Sequence, residues 1–197
     1  MSEIRRVLLE RKTKETDIKL SLDLDGTGQS QIDSGVPFMD HMLTHVAVHG
    51  LFDLDITCKG DTEIDDHHSV EDIGIVLGRA FKEALGAKEG IQRYGQMLMP
   101  MDEALVMVAL DFSGRGMLVY DADLPSPRVG TFDTELTREF LQAFAVNAGL
   151  TLHVRLITGI NTHHIIEAIF KGLGRALGSA AARDPRRSGV ASTKGVL

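Results

Sequence analysis

Two stretches of this chain are close copies. HHSVEDIGIVLGRA begins at His67 and HHIIEAIFKGLGRA at His163, and a shift of 96 positions makes eight of the fourteen residue types coincide. The matched pairs are His67/His163, His68/His164, Glu71/Glu167, Ile73/Ile169, Leu77/Leu173, Gly78/Gly174, Arg79/Arg175 and Ala80/Ala176. A weaker echo lies upstream, where KETDIKLSLDLDGTG from Lys14 aligns with DEALVMVALDFSGRG from Asp102 and pairs Glu15 with Glu103. An internal repeat constrains the fold before any local propensity does, because the same supersecondary unit must form twice.

The local patterns run in the same order in both copies. Ile18, Leu20, Leu22 and Leu24 alternate with polar residues, the mark of a strand with one buried face, and DGTG supplies a turn. Val36 and Pro37 open a helix to about Val48, ended by Gly50; Phe52, Leu54, Ile56 and Cys58 alternate as a second strand. After the polar loop KGDTEIDD, a long helix runs from about Asp66 to Leu85 and stops at Gly86. The second copy predicts strands at 104–112 and 116–122, a helix near 134–148, a strand near 150–158 and a long helix near 162–182. The fold class is therefore α/β (an α+β two-layer sandwich). Each half is a small sheet covered by two helices, and the halves, about 1–92 and 93–197, pack as a pseudo-symmetric pair in one compact unit. The stretch AKEGIQRYGQ (87–96) is the one candidate linker.

Bulk properties narrow the function. A net charge of −7 gives no support to nucleic-acid binding. No apolar run approaches the roughly 18–20 residues of a membrane-spanning helix, and MSEIRRVLLERK lacks the apolar core of a signal peptide. Cys58 is the only cysteine, which rules out an internal disulfide and a multi-thiolate zinc site and fits the reducing cytoplasm. The segment from Arg183 to Leu197 is basic, with Arg183, Arg186, Arg187 and Lys194 against Asp184 alone. It reads either as an anion-binding tail or as a solvated end.

The repeated HHxxE motif points to divalent metal. Imidazole and carboxylate together suit Mn, Fe, Co, Ni or Zn. On a helix, Glu71 lies one turn from both His67 and His68, while the adjacent histidines diverge by roughly 100° around the axis. Each motif therefore serves two ions, its histidines split between them, and other segments or chains must complete each site. His41, His45 and His49 are spaced i, i+4, i+8 on one helical face, so that one can join a metal while another faces a substrate. His153, in LTLHVRL, reads as a structural strand residue. The order of the motif differs from HExxH and HxxEH, which makes a metalloprotease a poor fit.

GVPFMDHML (35–43), GD…DDHHSVED (60–72), MDEAL…LDFSGRG (101–116), RVGTFDTEL (128–136), NTHHIIEAIFKGLGRAL (161–177) and STKGVL (192–197) together resemble the imidazoleglycerol-phosphate dehydratase family of histidine biosynthesis, in order and over nearly the whole chain. The resemblance implies a duplicated α/β fold, a large homo-oligomeric shell of about 24 subunits, and two Mn2+ ions per active site, held between subunits. It implies metal ligands at His41, His67, His68, Glu71, His163, His164 and Glu167. One position departs: many relatives have a histidine 24 residues before the second HH pair, where this chain has Glu139, itself capable of ligating manganese. The implied substrate contacts are Glu15, His41, His45, His49, Arg93, Arg115, Lys171, Ser192 and Lys194, with the guanidinium groups of Arg93 and Arg115 suited to clamping phosphate.

The implied reaction removes water from imidazole glycerol phosphate to give imidazole acetol phosphate. The C–H bond to be broken is not next to a carbonyl, so the imidazole ring must act as electron reservoir through a diazafulvene-like intermediate. Two cations suit a ring with two nitrogens, acting as Lewis acids, and carboxylates suit the proton transfers. Glu15 leads as the acid/base group, with Asp102 and Glu103 behind it and Glu71 and Glu167 as carboxylates of the same centre. Two rivals explain part of the pattern: a binuclear metallohydrolase of a small phosphorylated substrate, and a non-catalytic metal-binding shell protein. The second gives no reason for the Arg and Lys set.

Overall fold

A computed structural model of the chain describes residues 5–197. Its elements come in two equal runs. The first is β1 (Arg6–Lys12), β2 (Thr16–Asp23), β3 (Ser30–Asp33), α1 (Pro37–Gly50), β4 (Asp53–Gly60) and α2 (His67–Leu85). The second is β5 (Tyr94–Met101), β6 (Ala104–Asp111), β7 (Met117–Asp121), α3 (Leu136–Ala148), β10 (Thr151–Thr158) and α4 (Thr162–Ala181), interrupted by a short ribbon, β8 (Arg128–Val129) with β9 (Phe132–Asp133). The sheets have matching orders, β1-β2-β4-β3 and β5-β6-β10-β7.

Each sheet keeps one apolar face for its helices. Ile18, Leu20 and Leu22 on β2 and Leu54 and Ile56 on β4 are buried, and Val106, Val108, Leu152 and Val154 repeat this in the second half. The burial stabilises the sheet–helix contact because apolar area leaves water. The halves then meet through their helices, α1 along α4 and α2 along α3. Phe81, Phe140, Phe144 and Phe170 fill the layer between them, with Phe81 edge-on to Phe144 at 5.5 Å and Phe140 5.4 Å from Phe170. The repeated glycines permit this close approach. A Cβ on Gly78 would stand 2.6 Å from the Phe144 carbonyl oxygen, and one on Gly174 would stand 2.8 Å from that of Val46.

Three strands escape the alternation rule. β3 is the polar edge strand SQID, β1 exposes Leu8, and β5 has the mixed pattern YGQMLMPM. β5 begins inside the stretch expected as a linker, which is therefore no free linker. Residues 89–93 hold the C-terminal segment by backbone hydrogen bonds: Gly90 N donates to Gly189 O, Asp184 N to Gly90 O and Arg93 N to Ala180 O. The basic segment is thus pinned, and its Asp184 is buried and accepts from Arg186. Among the described residues no helix is long and apolar enough to cross a membrane.

Candidate metal and substrate site

Local sequence sets up each HH pair. Asn161 caps α4, its side chain accepting from the backbone N–H groups of His163 and His164. At α2, Asp65 accepts from the backbone N–H of His67 at 2.8 Å. Both histidines of a pair therefore lie in the first turn of a long helix, and their side chains part as helix geometry requires.

At α4, the first histidine turns toward its own glutamate and toward α1. His163 Nε2 lies 3.1 Å from Glu167 Oε2, and His41 Nε2 lies 3.4 Å from the same oxygen. The other carboxylate oxygen accepts from Lys171 Nζ at 2.6 Å and lies 3.5 Å from His45 Nε2. The ligand atoms of His41, His45 and Glu167 all lie within 4.8 Å of one another. Oε2 of Glu167, flanked by two imidazoles, is thus the face that fits a cation; Oε1 is occupied by the ammonium. Burial alone would raise the Glu167 carboxyl. The Lys171 ammonium, together with His45 and His163, outweighs it and holds the group at about 2. Burial first, then His41, pushes His45 down to about 4, so this imidazole is neutral in ordinary conditions. Burial also lowers His49, helped by Lys171 and Arg175.

At α2 the corresponding group is sparser. His67 Nε2 lies 3.9 Å from Glu71 Oε2. The C-terminal ends of α1 and α3 have the same left-handed cap, at Leu51 and Gly149, closed by Phe52 N on Ala47 O and Leu150 N on Ala145 O. That common end places His41 and Glu139, 98 residues apart, at equivalent positions on their helices. A carboxylate therefore stands on α3 where α1 presents an imidazole. The equivalents of His45, His49 and Lys171 are Ala143, Asn147 and Ile75, so the two metal-type sites differ in their surroundings.

The second histidine of each pair faces the other way, toward the hairpin of its own half. His164 Nδ1 lies 2.7 Å from Glu103 Oε2, and its Nε2 lies 3.6 Å from Asp102. His68 Nδ1 lies 3.1 Å from Asp61, and its Nε2 lies 3.8 Å from Glu15. These bonds raise both imidazoles, and because they use Nδ1 they leave each Nε2 without a hydrogen bond among the described residues. Glu103 is held down at about 2 by His164 and then by the Asn161 N–H. Asp102, at the turn between β5 and β6, takes a left-handed φ of 48°.

The predicted phosphate residues gather elsewhere. Arg93, Arg115, Ser192 and Lys194, joined by Arg187, line an open cleft of about 810 Å³. Arg93 is largely engaged already: Nε and Nη2 donate to Asp111 at 2.6 and 3.0 Å, and Nη1 donates to Ala191 O. It anchors the segment bearing Ser192 and keeps two N–H groups over. Arg115 is exposed in the Ser113–Gly116 turn. Lys171, His45 and His49 are not part of this cleft; they stand with Glu167.

Residues 34–177 match the family model described as imidazoleglycerol-phosphate dehydratase. A protein of that name from Acetivibrio thermocellus is 60% identical over 98% of this chain and 99% of its own length. Another from Prochlorococcus marinus is 55% identical over 100% and 98%. The crystal structure of the Staphylococcus aureus protein superposes with a TM-score of 0.83 at 45% identity, covering 91% of this chain and 99% of that one. The chain belongs to the imidazoleglycerol-phosphate dehydratase family. It is a hydro-lyase of histidine biosynthesis. A Pyrococcus furiosus relative superposes at 0.84 with 39% identity over 96% and 100% of the two chains.

For a dehydratase of this kind, the sequence motifs pointed to the histidine clusters and to the basic residues, but Asp61, which lies against His68, went unread. Arg187, read only as part of the basic tail, lines the cleft, and Glu103, read as a proton-transfer candidate, is tied to His164. The Glu15/Glu103 match in the repeat was the available signal for the last of these. His153 is exposed on β10.

Proposed function

We propose that this dehydratase works with two Mn2+ ions in active sites completed between subunits of a cytoplasmic homo-oligomer, and that Glu15 moves the proton in the dehydration of imidazole glycerol phosphate. The observation that carries the reading is the convergence of His41 and His163 on one carboxylate oxygen of Glu167. Hard carboxylate and borderline imidazole ligands fit manganese. Within one chain, His41, His163 and Glu167 would hold one ion, and His67, Glu71 and Glu139 the other. The Nε2 atoms of His68 and His164, not hydrogen-bonded among the described residues, would serve ions of neighbouring subunits. When bound, the ions supply Lewis acidity at the ring nitrogens.

The residues of the chain do the rest. The hydroxyl on the carbon next to the ring leaves as water once protonated, and the neighbouring carbon gives up its proton, forming an enol that tautomerises to imidazole acetol phosphate. Glu15 suits that transfer because, among the described residues, its carboxylate accepts no hydrogen bond and lies 3.8 Å from His68 Nε2. Asp102, largely exposed beside His164, is the second candidate. Arg115, Ser192, Lys194 and the spare donors of Arg93 bind the phosphate, with Lys171 and His49 approaching from a facing subunit. Phosphate binding so far from the reacting carbons orients the substrate without touching the chemistry.

The test is incubation with imidazole glycerol phosphate and Mn2+, with and without chelator. Ketone should form only with metal. Inorganic phosphate without ketone would point instead to a metallohydrolase. Glu15→Gln should abolish turnover with metal content and assembly intact, and near-normal activity in that variant would remove Glu15 from the mechanism.

A further inference from the structure

The hairpins β1–β2 and β5–β6 each carry a glutamate at the end of their loop, Glu15 and Glu103, but the two halves hold them by different means. The Glu103 carboxylate is fully engaged: it accepts from the backbone N–H groups of Ile160 and Asn161 at 3.2 and 2.7 Å and faces His164 Nδ1. Among the described residues no hydrogen bond reaches the Glu15 carboxylate, and its one charged neighbour is His68 Nε2 at 3.8 Å. Its backbone is fixed instead. Glu15 N donates to Thr13 Oγ1 at 3.1 Å, and Asp61 N donates to Glu15 O at 3.1 Å. The next residue, Thr16, is 3% exposed and donates through Oγ1 to Asp72 Oδ2 at 2.5 Å. The Arg11 guanidinium from β1 pairs with that same oxygen. Asp72 is itself 6% exposed and directly follows Glu71 on α2.

The duplication supplies an internal control. The repeat registers of 88 for the hairpins and 96 for the long helices put Ala104, Met99 and Ala168 where Thr16, Arg11 and Asp72 stand. Ala104, Met99 and Ala168 are all buried. The same hairpin therefore docks on the same helix without a charge in the second half. Taking a carboxylate and a guanidinium into such an interface costs desolvation that an apolar set avoids. The polar set occurs only in the half whose glutamate must be both accurately placed and chemically free. Asp72 faces the hairpin and Glu71, roughly 100° round the helix, faces the metal-type site, so one helical turn spans both.

We propose that Asp72, with Thr16 and Arg11, is a positioning device: it locks the Glu15 backbone to the His67–Glu71 turn and leaves the Glu15 carboxylate without a hydrogen bond, available for proton transfer. The inference rests on Glu15 being the proton-transfer group. It is tested on the full-length, manganese-loaded enzyme. Thr16→Val, which keeps the shape and removes the hydroxyl, should lower kcat by about 10- to 100-fold while KM, metal content and oligomer size stay near wild type. Thr16→Ser should retain most of kcat. The combined variant Arg11→Met, Thr16→Ala, Asp72→Ala installs the apolar set of the second half; it should fold and assemble, with kcat reduced at least as far. Wild-type kcat in Thr16→Val or in the combined variant overturns the proposal. So does an equal loss in Thr16→Ser, or a loss that tracks dissociation or missing metal. Glu15→Gln, assayed in parallel, separates the two ideas. Normal turnover there refutes the role of Glu15 itself, whereas a dead Glu15→Gln beside a fully active Thr16→Val refutes only the positioning device.

Discussion

Glu15 and Glu103 sit at one place in a duplicated hairpin and have parted in chemistry because their hydrogen bonds differ. Glu103 accepts three bonds and fixes the ring of His164. Carboxylates that orient a metal-binding imidazole sustain metal affinity, and their loss costs on the order of 10- to 100-fold. On the proposed reading, Glu103→Gln should therefore weaken manganese binding by about that factor, measured by titration with the metal, whereas Glu15→Gln should leave affinity unchanged. Equal affinities in Glu103→Gln and wild type would remove Glu103 from the metal site. A second residue-scale case is Lys88, buried at a left-handed φ of 60° in the turn before β5. Burial, then Lys82, lowers its ammonium, with Asp111 opposing. A lysine whose folded pKa lies below its unfolded value binds protons more weakly when folded, so folding gains stability as pH rises through that folded pKa toward the usual 10.5. Calorimetry between pH 7 and 10 should show the melting temperature of wild type catching up with that of Lys88→Met as pH rises. A pH-independent gap would count against burial as the cause.

At the scale of elements, the glycines shared by the two long helices govern how the halves meet. The nearest neighbours of Gly78 and Gly174 are backbone atoms of α3 and α1, which cannot swing aside as a side-chain tip can. Gly78→Ala or Gly174→Ala should each cost about 1–3 kcal/mol as the helix pairs are forced apart, lowering the melting temperature by roughly 2–4 °C per kcal/mol. Gly172→Ala, whose nearest neighbour is the tip of Val108, should cost less. Identical melting of all three variants would show that the helix contacts yield freely. These glycines stood in the repeat from the start, and so did the long helices and the strands with alternating apolar residues. β1, β3 and β5 were illegible for a physical reason. They lie at sheet edges, where a strand needs only one paired flank and carries polar or mixed residues. The divergence of the paired histidines followed from helix geometry alone. Their partners Asp61 and Glu103 did not, because loops far apart in sequence bring them in.

The whole molecule sets a distance that no local rearrangement closes. His163 is the second residue of α4, a helix of 20 residues, while the Arg93 N–H binds the backbone of Ala180 near its end. At 1.5 Å per residue the two levels are roughly 25 Å apart along the helix. A substrate as small as imidazole glycerol phosphate cannot span from the histidine cluster to the Arg115–Lys194 cleft of the same chain. If both are used, they come from different subunits, and the defects of two inactive variants must complement each other. On the proposed reading His163→Ala removes the metal side and Arg115→Ala the phosphate side, so each alone should be nearly inactive. Co-expressed in equal amounts, they should assemble at random, and about a quarter of the sites should then draw an intact histidine cluster from one chain and an intact cleft from another. Activity near that fraction of wild type, absent when the separately assembled variants are merely mixed, is the expected result. Co-assembled particles that stay as inactive as either parent would place both groups on one chain and refute the composite site.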